Sequence, residues 1–157
     1  MHNVYFCGVE KGKEDEMVCL DKQVCFSVYA LSRQINQRYR PILDELDITY
    51  PQYLVLLILW EHQKHSVNQL GERLYLDSGT LTPMLKRLEQ KGLIKRTRST
   101  ADERVVEISL TKDGKQLREP ACAVPQKFLA SLNISPEELV QLHHTINKIL
   151  DLTKNLK

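Results

Sequence analysis

Six cations, Lys86, Arg87, Lys91, Lys95, Arg96 and Arg98, fall within thirteen residues of this 157-residue chain, against a single acid, Glu89. The whole chain has a net charge of only +2, so its positive charge is gathered rather than spread. Gathered cations suit phosphate oxygens; a solvated surface is the plainer reading of any charge run. The setting favours phosphate. Lys95, Arg96 and Arg98 stand on a strand-like run, a polar tip follows from Ser99 to Glu103, and a β-branched run returns from Arg104 to Leu110. That pattern is a basic β-hairpin. Directly before it lies the helix-length segment DSGTLTPMLKRLEQK, whose opening residues are small and polar. Such a helix can enter a DNA major groove while the hairpin tip reaches phosphates or the adjoining minor groove. Ser78, Thr80 and Thr82 are short enough to bring the helix start to base edges, and Pro83 is placed to touch a thymine methyl. Lys86 and Arg87 are placed for phosphates, with a solvated face as the alternative, and Leu81, Leu85 and Leu88 read as core.

The other reactive side chains are four cysteines, Cys7, Cys19, Cys25 and Cys122, with no CxxC and no histidine at metal-ligand spacing. His143 and His144 are neighbours, which diverge on a helix. No metal and no cofactor is expected. A hydrophobic share of 42% and a charged share of 27% describe an ordinary globular chain. No apolar run approaches the roughly 18–20 residues a bilayer needs, and the N-terminus lacks a secretory layout. The expected location is the cytoplasm, without a membrane partner, where cysteines rest as thiols.

The elements that must hold these residues follow from periodicity and capping. Residues 1–16 read as a disordered tail, and Met17 is an alternative start. Apolar residues at helical spacing (Val24, Val28, Leu31, Ile35, Ile42, Leu43, Leu46) predict a helix over about 20–46, kinked or divided at Pro41. Thr49 and Gln52 form a capping box before a buried helix through Glu61, and Ser66 with Gln69 opens a short helix to about Leu76. Asp77 caps the next helix, which stops with Gly92 just past its end. Thr111 caps a further helix, broken at Pro120 and Pro125; Ser135, Pro136 and Glu138 start the last one, to about Lys154. The fold class is mainly α with a small β-wing: a winged helix-turn-helix over about 48–114, flanked by N- and C-terminal dimerisation helices over about 20–46 and 111–157, all within one domain, 17–157. The end helices carry apolar stripes that a second copy would cover better than the small central domain can. A two-fold homodimer would also present two reading helices to the half-sites of a pseudo-palindromic operator in double-stranded DNA.

Residues 20–114 resemble the MarR family of winged-helix regulators, through Asp102-Glu103-Arg104 at the wing, Ile108-Ser109-Leu110-Thr111, and Gly114. Within that family the chain is similar to the organic hydroperoxide regulators (OhrR-like) of one-cysteine type, through LDKQVCFSVYALSR, YRPILDELDITYPQYLVLLILWEH and LGERLYLDSGTLTPMLKRLEQKGLI. The resemblance covers most of the chain and weakens after about Lys115. It implies a repressor that holds its operator when reduced and releases it when a cysteine is oxidised, with organic hydroperoxide as inducer. By position that cysteine is Cys25. Tyr39 and Tyr50 match the two tyrosines that hydrogen-bond the thiolate across the dimer, and Tyr29 matches a further tyrosine of the pocket. Arg104 matches the family's minor-groove arginine, and Asp102 the residue that orients it; a plain turn residue is the weaker view of Asp102.

The chemistry agrees with that implication. With Asp21 near the N-cap, Cys25 lies at the start of the first helix, where free N–H groups and the dipole favour a thiolate. The thiolate attacks a peroxide oxygen and becomes a sulfenic acid. Phe26 and Val28 would line an apolar approach that suits an alkyl peroxide. An inert core thiol is the usual reading of a lone cysteine on an apolar face; the two tyrosines at the family's spacing reverse it. Two-cysteine members of the family resolve the sulfenic acid with a second cysteine, and aligning Val124-Pro125 puts Leu129 near that place. A small-molecule thiol is therefore the expected resolving partner. Cys122 is the minority candidate, with a buried structural thiol as its plainer reading, and Cys19, six residues from Cys25, is a further thiol in reach. Two alternatives stay open: a MarR-type repressor released by a small phenolic or anionic ligand, and a broader redox or virulence regulator. A thiol peroxidase is disfavoured by the missing resolving cysteine and the DNA-shaped wing, so the chain is read as not an enzyme.

Overall fold

The computed structural model describes residues 19–100, 102–132 and 134–154; the tail expected over 1–16 lies outside them. The chain forms two compact units, one through Val124 and one from Pro125.

The first unit opens with a 3-10 turn, Leu20–Lys22, then α1 (Val24–Asp44). Gln23, not Asp21, is the N-cap of α1, because the 3-10 turn consumes Leu20–Lys22 and is closed by the Gln23 N–H on Leu20 O. Pro41 does not divide α1, which runs through it and ends three residues later. The end is a Schellman-type turn: Asp47 takes the left-handed region (φ 52°) and the Ile48 N–H returns to Leu43 O at 3.2 Å. Leu43 and Ile48 are both buried.

The Thr49–Gln52 capping box starts α2 (Tyr50–Glu61) as expected. Tyr53, Val55, Leu56, Ile58 and Leu59 of α2 are all buried, which makes it the central rod of the unit. Next comes β1 (Lys64–Ser66), a strand the sequence reading did not foresee. It pairs with β3, giving a three-stranded antiparallel sheet of order β1-β3-β2. Three residues show no usable alternation, and Ser66 was already explained as a helix cap. α3 (Val67–Leu74) opens on the Ser66–Gln69 box and stops at the left-handed Tyr75, slightly short of the expected Leu76.

Asp77 caps α4 (Ser78–Gln90), accepting the Thr80 N–H at 2.8 Å. Leu81, Leu85 and Leu88 are fully buried, and Gly92, just beyond the C-cap Lys91, has φ +72°. The hairpin is β2 (Ile94–Arg98) and β3 (Val106–Leu110). Its return strand starts two residues later than expected, because Arg104 belongs to the tip turn closed by the Val105 N–H on Asp102 O. Thr111 caps α5 (Lys112–Gln116), accepting the Gly114 N–H, and α6 (Arg118–Ala121) follows. The expected breaks occur, but at Leu117 and at Cys122–Ala123 rather than at the prolines; Pro120 is inside α6 and Pro125 is the second residue of α7 (Val124–Ser131). Proline is tolerated in a helix's first turn, where its missing N–H has no partner to lose.

The second unit holds the rest of α7 and α8 (Pro136–Lys154). Ser135 and Glu138 cap α8 reciprocally, at 2.9 and 3.2 Å. Val140, Leu142, Ile146, Ile149 and Leu152 of α8 are exposed.

Candidate functional site

Cys25 is the second residue of α1, so its sulfur sits in the helix's first turn, and it is exposed. The expectation that it stands at a helix start holds, with a different cap residue. Tyr39 lies on the same helix. Fourteen residues at 1.5 Å each separate the two by about 21 Å along the axis, so Cys25 does not reach Tyr39 within one chain. Tyr39 instead meets Tyr50: the rings stack with centroids 4.3 Å apart. Tyr53 is 6.3 Å from Tyr39, and Trp60 meets Tyr53 edge-on at 6.3 Å. Burial, then the neighbouring Tyr50 and Tyr53, push the Tyr39 phenol up to about 12. Burial raises Tyr50 as well. Both are therefore neutral O–H donors at any physiological pH, the form that solvates an anion best.

Tyr29 is not part of that cluster in one chain. It is exposed, with the Arg33 guanidinium 5.7 Å above its ring and Arg33 Nη1 donating to its hydroxyl at 3.3 Å. Val28 is exposed too. Cys122 is exposed at the end of α6, and its thiol donates to Arg118 O at 3.2 Å. It lies near enough to Tyr53 to help raise that phenol, after burial itself. Cys122 thus lies within electrostatic range of Tyr53, a placement that chain order does not reveal. Cys19 is exposed immediately before the 3-10 turn.

The second group of side chains surrounds α4 and the wing. Ser78 opens α4, and Thr80 is turned back on the cap, donating its N–H and its hydroxyl to the two Asp77 oxygens at 2.8 and 3.0 Å. Those bonds pull the Asp77 carboxyl below its ordinary range. Thr82 is half-buried, and Pro83, Lys86 and Arg87 are exposed. Lys86, Arg87, Lys95, Arg98 and Arg104 have no ion pair among the described residues. Arg96 differs. It shares a sheet face with buried Ile94, is itself half-buried, and lies 3.9 Å from Glu89 on α4. Asp102 accepts the backbone N–H of Arg104 at 2.9 Å, so it shapes the tip that carries the arginine.

Three features escaped the sequence reading: the Glu89–Arg96 contact, the Lys91–Asp47 ion pair at 2.7 Å, and the Trp60 indole N–H donating to Gly114 O at 2.8 Å. None has a local signal; the last joins residues 54 apart in sequence.

Comparison with known proteins agrees with this architecture. The family model described as transcriptional regulator SarA/Rot matches residues 37–119. The organic hydroperoxide resistance transcriptional regulator of Bacillus subtilis is 54% identical over 132 residues, covering 84% of this chain and 90% of the relative. Reduced AbfR bound to DNA, a Staphylococcus epidermidis protein, superposes with a TM-score of 0.77 at 41% identity, covering 92% of this chain and 99% of that one. Disulfide-formed AbfR gives 0.59 at 42% identity over 87% and 96%. The chain belongs to the SarA/Rot family of transcriptional regulators and shares the winged-helix fold of the MarR regulators.

Proposed function

We propose that this chain is a DNA-binding repressor that senses organic hydroperoxide through Cys25 and then releases its operator. The observation that carries the reading is the Tyr39–Tyr50 pair, stacked at 4.3 Å and kept protonated by burial; its Tyr39 member shares α1 with Cys25, a first-turn cysteine too far along the helix for it to reach. A second copy supplies the missing contact: the partner's cysteine meets this chain's phenols. The exposed apolar residues of α1 (Val28, Tyr29, Leu31) and of α8 are the surfaces that such a homodimer covers. The winged helix-turn-helix spans about 48–114, between dimerisation helices of about 20–46 and 111–157.

The Cys25 thiolate attacks the outer oxygen of the hydroperoxide. The O–O bond breaks, a sulfenic acid forms, and the departing alkoxide takes a proton to leave an alcohol. A small-molecule thiol then condenses with the sulfenic acid, releasing water and leaving a mixed disulfide. A second route is favoured by Cys122 lying within electrostatic range of Tyr53: the partner's Cys122 condenses with the sulfenic acid in the same way, giving an intersubunit disulfide.

Operator contact falls to Ser78, Thr80, Thr82 and Pro83 at the α4 start, Lys86 and Arg87 on its flank, and Arg98 and Arg104 on the wing, with Asp102 and Arg96 shaping it. The operator is pseudo-palindromic, one half-site per copy. The chain has regulator relatives rather than enzyme ones, and none of its described helices is long and apolar enough to cross a membrane. We place it in the cytoplasm. The test is an operator gel shift with Cys25→Ser. Binding that no longer responds to cumene hydroperoxide is expected; release of Cys25→Ser by the peroxide refutes the reading.

A further inference from the structure

We propose that α2 is the rigid link that carries a change at the Tyr39–Tyr50 pair to the DNA-facing helix α4, with Trp60 as its positioning residue. The proposal rests on the redox reading above and names the path that reading needs.

Tyr50 is the first residue of α2 and Trp60 the eleventh, so the two stand about 15 Å apart on one rod. Buried Val55, Leu56 and Leu59 fix the rod in the core. A close-packed interior moves as a body rather than deforming, so a displacement at Tyr50 appears at Trp60.

The Trp60 end of α2 and the Asp47 turn leading into its other end both hold the C-terminal end of α4 and the turn that follows it. At the far end, the Trp60 indole donates to Gly114 O at 2.8 Å. Gly114 lies flat against the Leu93 carbonyl, where any Cβ would overlap the oxygen. Thr111, three residues earlier, donates its hydroxyl to Gly92 O at 2.6 Å and its N–H to Leu93 O at 3.1 Å. Gly92 and Leu93 are the two residues between the α4 C-cap and β2. At the near end, Lys91, the α4 C-cap itself, reaches the main-chain carbonyl and, at 2.7 Å, the carboxylate of Asp47. Asp47 is in the turn just ahead of Tyr50. The phenol pair, the recognition helix and the wing root are thus held to one rod by named contacts.

A merely structural Trp60 would set stability and nothing else. A positioning Trp60 sets how much operator affinity is lost per oxidised Cys25. Trp60→Phe keeps an aromatic side chain, though a smaller one, and deletes the donor. Reduced Trp60→Phe is expected to bind operator much as the parent does, and to form the Cys25 sulfenic acid at the parent rate, read by dimedone labelling and mass. The ratio of oxidised to reduced operator Kd should shrink about tenfold. An unchanged ratio overturns the proposal. Trp60 is also the only tryptophan of the chain, so the unsubstituted protein gives a second readout. Its emission should shift when cumene hydroperoxide oxidises Cys25 and stay constant in Cys25→Ser; constant emission in the oxidised parent overturns the proposal even if Trp60→Phe does not fold. Peroxide release that persists in Cys25→Ser overturns the redox reading and this link with it. Loss of that release together with an unchanged Trp60→Phe ratio overturns the link alone.

Discussion

Glu89 receives Arg96 twice: one carboxylate oxygen accepts the Arg96 backbone N–H at 3.1 Å, and the other lies 3.9 Å from the Arg96 guanidinium. The wing's root is therefore tied to the last turn of α4, and one wing cation is spent on the protein itself. Arg98, two residues along, is exposed with no ion pair among the described residues. The two arginines should separate in experiment. Arg98→Ala or Arg104→Ala should weaken operator binding and lower the slope of log affinity against log salt by about one each. Arg96→Ala should lower the unfolding midpoint in urea more than either. Equal salt slopes in Arg98→Ala and the parent would count against a phosphate role.

Gly114 bears on stability directly. Its missing Cβ makes room for Leu93 O, backbone against backbone, so neither side can yield by a rotamer change. Gly114→Ala should cost about 1–3 kcal/mol or more by overpacking, read as a lower urea midpoint at unchanged slope. An unaltered midpoint would show that the wing root is softer than its packing indicates.

The phenol pair gives a kinetic expectation. On the proposed redox reading, Tyr39→Phe and Tyr50→Phe each remove one donor to the partner's thiolate. A hydrogen bond to a charged group contributes about 1.5–3 kcal/mol, so oxidation of Cys25 should slow roughly tenfold to a hundredfold. Stopped-flow mixing with cumene hydroperoxide measures it, and parent-like rates in both variants would remove the tyrosines from the mechanism.

Alkaline stability follows from the same burial. Tyr39 titrates at about 12 when folded, against an ordinary 10.0 when unfolded. Its contribution is complete below pH 10 and is lost as pH rises through 12, because the unfolded chain releases the proton first. Tyr39→Phe should flatten the fall in urea midpoint across that window. His65 gives the opposite case. Burial holds it below its ordinary 6.5, so its contribution is present above that value and is lost as the pH falls and the unfolded chain gains the proton. His65→Phe should make the midpoint less sensitive between neutral and mildly acid pH.

Much of this architecture could be read from the chain before any coordinates. The Thr49–Gln52, Ser66–Gln69 and Ser135–Glu138 boxes, the Asp77 cap and the left-handed Gly92 were all legible, because a cap and its partner lie within one helical turn. The buried Leu81, Leu85 and Leu88 followed from period alone. The errors were local competitions decided by neighbours: Gln23 instead of Asp21 as a cap, an undivided helix at Pro41, and breaks at Leu117 and Cys122–Ala123.

What the chain decided by itself is therefore the set of helices, the hairpin, its charge, and a cysteine in a first turn. Those depend on contacts spanning a few residues, which residue types at fixed spacing specify. The tertiary structure alone decided that β1 completes the sheet, that Arg96 turns toward Glu89, that Tyr39 stacks on Tyr50, and that Trp60 finds Gly114. Each of these joins side chains whose separation is set by how whole elements pack, and no pattern along one segment encodes the distance to another.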